Sequence, residues 1–70
     1  MYHVWRRSPD GYVHATNTTT EDPATVQRGL NSNAGTLNGE PCVFTVLFST
    51  GDWEQARERI LTERAAQIAT

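Results

Sequence analysis

The side chains best able to do chemistry crowd the amino terminus: His3, Trp5, Arg7, Tyr12 and His14. Trp, Tyr and Arg dominate binding hot spots, and histidine adds a titratable ring. In extended backbone, alternate residues share a face, so His3, Trp5 and Arg7 group together, as do Tyr12 and His14. A hairpin pairing Arg7 with Tyr12 and Trp5 with His14 unites all five. Such a surface serves either as a contact patch for a protein partner or as cross-strand pairs packed beneath a helix. Trp5 and Tyr12 also suit stacking on single-stranded nucleic acid, with Arg6 or Arg7 near phosphate. Against that second use, adjacent arginines on a strand point to opposite faces, and the formal net charge is −2.

Other chemistries fare worse. His3 and His14 share a face without a third ligand at diagnostic spacing, so no metal is expected. Cys42 heads a hydrophobic run, where cysteine serves as a small apolar residue, and no base accompanies it. No phosphate-binding glycine loop and no acid–base pair stand out, so the chain reads as a non-enzyme without a cofactor. Near the carboxyl terminus, Arg57 and Arg64 fall on the same helical side as Leu61 and Ile68. Either their stems lie over the chain's own apolar surface, or Leu61, Ala65 and Ile68 meet another chain across a seam these arginines complete.

These side chains need elements to position them. Residues 2–7 and 12–18 read as strands, and Ser8-Pro9-Asp10-Gly11 as the turn of a hairpin. A four-residue loop gathers Tyr2, Val4, Val13 and Ala15 on the face opposite the candidate residues; a bulge at Gly11 would reverse that segregation. Thr20 or Asp22 caps a short helix with Pro23 in its first turn and Val26 and Leu30 as its apolar stripe. Gly29 weakens that helix, and the run 31–35 ends it. Asn38-Gly39 suits a type I′ turn that folds Thr36-Leu37 back on Glu40-Pro41-Cys42. Residues 42–48 form the most apolar strand, with Cys42, Phe44, Val46 and Phe48 alternating to one face and Val43, Thr45 and Leu47 to the other. Asp52, with Gln55, opens a last helix from Trp53 to about Ala69.

The expected fold is therefore a small single α+β domain over residues 1–70, ordered ββαβα, with a three-stranded mixed sheet and one main C-terminal helix packed on it. Strand order 2-1-3 leaves the apolar third strand at an edge, a position proteins normally cover. Two short helices cannot cover both faces as well, so one face or that edge should remain for something else.

Composition bounds the partners. All six basic residues are arginine, from codon bias or from a need for planar, bidentate contacts. One cysteine removes the disulfide staple of small secreted domains. No apolar run approaches the roughly 20 residues that span a bilayer, and the amino terminus lacks a signal-peptide layout, so a cytoplasmic, membrane-free protein is expected. Its size suits a small protein encoded by a phage or mobile element. The function expected is that of an interaction protein, a homodimer or a modulator docking on a larger partner through His3, Trp5, Arg7, Tyr12, His14, Arg57, Leu61, Arg64 and Ile68. A nucleic-acid-binding hairpin is the alternative.

Overall fold

The computed structural model describes residues 1–68. The hairpin consists of β1 (Tyr2–Ser8) and β2 (Val13–Asn17), followed by α1 (Pro23–Ser32). Short strands β3 (Thr36–Leu37) and β4 (Glu40–Pro41) precede β5 (Val43–Thr50) and α2 (Trp53–Ile68). The expected helix end near Ala69 lies outside the described residues.

The hairpin takes the four-residue loop: Arg7 N–H donates to the Tyr12 carbonyl at 2.8 Å, and Trp5 pairs with His14 and Val4 with Ala15. Its loop carries a cis Ser8–Pro9 peptide bond, with Gly11 at φ +75°. Val4 and Val13, both fully buried, join Ala56 and Ile60 of α2 in the core, flanked by Tyr2, Ala15 and Phe48. One face of the hairpin thus rests on α2, as its apolar segregation requires.

Strand order is β2-β1-β5, as expected, yet every pairing is antiparallel, so the mixed sheet is corrected. The crossover through α1 joins β2 to β5, and these two run the same way. But β1 lies between them and opposes both, so no parallel neighbours arise. The simple ββαβα order is also corrected, because β3 and β4 form a second, two-stranded ladder. It pairs Thr36 with Pro41 and Leu37 with Glu40 around Asn38 (φ 53°) and Gly39 (φ +81°), the left-handed turn that Asn-Gly favours.

A bulge reshapes β5. Val4 pairs with Phe48, but Trp5 pairs with Val46, leaving Leu47 as the extra residue. Inserting one residue reverses the alternation beyond it. Phe48 therefore joins Val4 on the α2 side, while Phe44 and Val46 join Trp5 on the other. The four residues expected on a single face are split between two.

The helices have different jobs. Cα atoms span 35 × 31 × 13 Å, and the short dimension holds one helix layer on one sheet, given a layer spacing of about 10 Å. That layer is α2. Helix α1 instead lies along the outer edge of β5. Asn31 Oδ1 accepts from Phe44 N–H at 2.7 Å, Asn31 Nδ2 donates to the Phe44 carbonyl at 3.1 Å, and Gln27 Oε1 accepts from Val46 N–H at 2.9 Å. The edge expected to await another molecule is covered by the chain itself.

Local sequence explains the helix starts. Asp22 caps α1, accepting from Ala24 N–H at 3.3 Å and from the Thr25 hydroxyl at 2.7 Å. Asp52 caps α2 through Glu54 N–H at 3.0 Å. The expected box between Asp52 and Gln55 closes through Thr50, whose hydroxyl donates to Gln55 Oε1 at 2.7 Å and accepts from Asp52 N–H at 3.1 Å.

Replacing Asn31 with alanine deletes both bonds to Phe44. Stability should fall by about 1 kcal/mol, since both groups regain water. Urea titration should show a lower midpoint with an unchanged slope, and the Phe44 and Val46 amides should exchange hydrogen faster.

Candidate functional site

The face opposite α2 carries the residues singled out from sequence. Trp5 lies at its centre, only 9% exposed, with Nε1–H donating to the Thr16 hydroxyl at 2.9 Å. Its ring meets Phe44, Tyr12 and His14 edge-on at centroid distances of 4.9, 6.0 and 6.3 Å. Trp5 is thus a packing residue with little free ring face on which a base could stack.

Tyr12 and His14 are exposed beside it. Two guanidiniums lie over the Tyr12 ring, Arg7 at 5.2 Å and Arg64 at 5.3 Å. Arg7 also grips Asp10, Nε to Oδ1 at 3.0 Å and Nη2 to Oδ2 at 2.5 Å. That charge-assisted hydrogen bond holds the Asp10 carboxyl below the ordinary aspartate range and raises the Arg7 guanidinium above its own. Arg64 reaches from α2 around the free edge of β2 and donates through Nε and Nη2 to the Val13 carbonyl at 3.1 and 2.8 Å. Gln67 similarly donates to the Gly11 carbonyl at 2.6 Å.

His3, placed beside these by sequence, is fully buried. Nε2 lies 2.7 Å from the Thr20 carbonyl, which only accepts, so Nε2 carries a proton. Nδ1 lies 2.7 Å from Ser49 Oγ and accepts that hydroxyl's proton when the ring is neutral. A serine beside a histidine suggests a nucleophile and its base. Neither residue borders the large cleft described below, however, and both ring nitrogens are spent tying β1 to β5 and to the approach of α1. Among the described residues, no group of three or more His, Cys, Asp or Glu side chains is arranged to hold a metal.

On α2, Arg57 is exposed, as are Leu61 (49%) and Ile68 (86%). They share the outward side of the helix, apart from buried Ala56 and Ile60. The nine predicted residues therefore divide among a packed centre (His3, Trp5), a clamped hairpin rim (Arg7, Tyr12, His14, with Arg64) and a separate outer helix face (Arg57, Leu61, Ile68).

The largest concavity was missed by sequence reasoning. A cleft of about 690 Å³, open to solvent, lies between α1, the segment through Gly35 and the sheet face at Arg7, Thr16 and Phe44. Thr16 and Thr18 form a hydroxyl-bearing side, Val26 and Leu30 an apolar one, and Cys42 lies half-buried in its lining. Gly29 also borders it, and a Cβ there would meet nothing within 4 Å. The available sequence signal was Gly29 itself, a costly residue inside a helix with no turn to justify it.

Fold and site together define a small α+β domain with a three-stranded antiparallel sheet, a helix on one face and an open cleft on the other. No protein-family model, curated protein or solved structure matches this chain. No described helix is long and apolar enough to cross a membrane.

Two measurements check this assignment of roles. His3→Ala should lose about 3 kcal/mol or more of stability, leaving a cavity and the buried Thr20 carbonyl unpaired; chemical denaturation reads it directly. A carboxyl with a depressed folded-state value adds stability above its unfolded value and loses it as pH falls through the folded one. NMR titration should therefore place Asp10 below ordinary aspartate, with Arg7→Gln restoring it and removing that acid-side loss.

Proposed function

We propose that this chain is a non-enzymatic protein-interaction domain, either self-associating or docking on a larger partner. The observation that carries this reading is the one-sided cover of the sheet. Helix α2 seals one face, α1 is committed to the β5 edge, and the opposite face holds an open cleft beside half-exposed Val43 and exposed Tyr12. Leu61 and Ile68 add an uncovered apolar pair on α2. Exposed apolar groups in several places are characteristic of surfaces that meet other proteins.

The nucleic-acid alternative draws less support. Trp5 is packed edge-on among its neighbours, and Arg7 is neutralised by Asp10, so neither a free stacking plane nor a free phosphate partner accompanies Tyr12.

Sedimentation equilibrium across a wide concentration range, paired with quantitative affinity capture from the source cells, tests the proposal. The expected result is a concentration-dependent dimer, or a specific co-purifying protein whose recovery falls about tenfold in Leu61→Glu/Ile68→Glu or in a cleft-filling variant of unchanged melting temperature. A monomer at every concentration that retains the same proteins as its surface variants would sink the reading.

A further inference from the structure

Gly29 occupies an interior position of α1 although glycine is, after proline, the poorest helix former. Its φ is not positive and a Cβ there has open space, so neither backbone nor packing within the chain requires glycine. Gly35, across the same cleft, is equally unconstrained. What both share is the cleft wall, where the missing side chains let another main chain come close.

The opposite side of the cleft is chemically one-sided. The Thr16 hydroxyl oxygen already accepts from Trp5 Nε1–H, and the Thr18 hydroxyl oxygen accepts from Thr20 N–H at 3.3 Å. Neither hydroxyl proton has an acceptor among the described residues, so each remains to be donated. Arg7, at one end, is already paired with Asp10 and offers no bare charge. A fitting occupant therefore presents neutral acceptor oxygens to the threonines, an apolar side chain to Val26, Leu30 and Phe44, and a slim backbone to Gly29. A carbonyl at every residue meets the first condition. A trough open to solvent also suits a chain that continues beyond it, whereas small-ligand pockets enclose most of their ligand.

The geometry points to this cleft as the docking groove for an extended, uncharged, apolar-containing peptide segment of a partner protein, with Thr16 and Thr18 donating to its carbonyls and Gly29 admitting its backbone. This deepens the interaction reading above and rests on it.

Panning a phage-displayed library of random linear peptides against the full chain tests it, followed by NMR titration of the enriched synthetic peptides. Shifts should concentrate at Thr16, Thr18, Gly29, Leu30 and Phe44. Gly29→Leu should weaken binding at least tenfold without lowering the melting temperature, and Gly35→Leu provides the same blockade from the loop should the first variant fold poorly. Peptides that bind both leucine variants as tightly as the parent, or whose shifts map to Leu61 and Ile68, would overturn the groove while leaving the domain an interaction module. Failure to enrich any peptide would overturn the groove as well.

Discussion

The architecture depends on how the outer edge of β5 is satisfied. Its residues are the most apolar in the chain, and an unpaired apolar edge invites pairing with another molecule. The two bonds between the Asn31 amide and Phe44, with Gln27 on Val46, place side-chain amides where a fourth strand would supply backbone ones. An amide side chain suits this because it carries a donor and an acceptor at once, as a peptide group does. At the other edge, Arg64 and Gln67 hold the Val13 and Gly11 carbonyls. Each helix thus finishes one side of the sheet. The consequence is geometric: a helix lying alongside an edge cannot also lie over a face, and the cleft is the space α1 leaves by being there.

Much of this was legible because local rules and burial agreed. Tyr2, Val4, Val13 and Ala15 alternate, and only one loop length puts them together, so the hairpin register followed from periodicity. Asn38-Gly39 and Asp22-Pro23 declared a turn and a cap through backbone preferences that need no tertiary context. The bulge at Leu47 did not declare itself. A strand with Cys42, Phe44, Val46 and Phe48 in alternation looks continuous, and only its pairing with β1, which has cores to serve on both sides, reveals the extra residue. The mixed sheet was a slip in topology: a crossover that skips one strand gives parallel strands that are not neighbours.

The site was less legible, for a related reason. Reasoning from side-chain type attends to the large and the charged, and here those residues are mostly engaged within the chain. Trp5 binds Thr16, His3 binds Ser49 and Thr20, and Arg64 binds Val13. The cleft is made by threonines and glycines, which carry little information in sequence because they also populate every turn and strand. A helix-interior glycine with neither a steric nor a dihedral reason is informative only once the surrounding space is known.

The arginine-only basic complement fits this pattern. A guanidinium can place two N–H groups on one partner and lie flat on a ring, which an ammonium cannot. Arg7 does both, on Asp10 and Tyr12; Arg64 does both, on Val13 and Tyr12; Arg59 pairs with Glu63 at 2.9 Å while its guanidinium lies 5.3 Å from the Phe48 ring centroid. These cations therefore act as internal fasteners at the rims of a thin slab with a small core. Charge engaged in this way projects little field into the cleft, because neighbouring carboxylates and solvent screen it. Recognition there must then rest on contour and on directional hydroxyl donors. That combination discriminates by backbone shape and apolar fit rather than by long-range attraction.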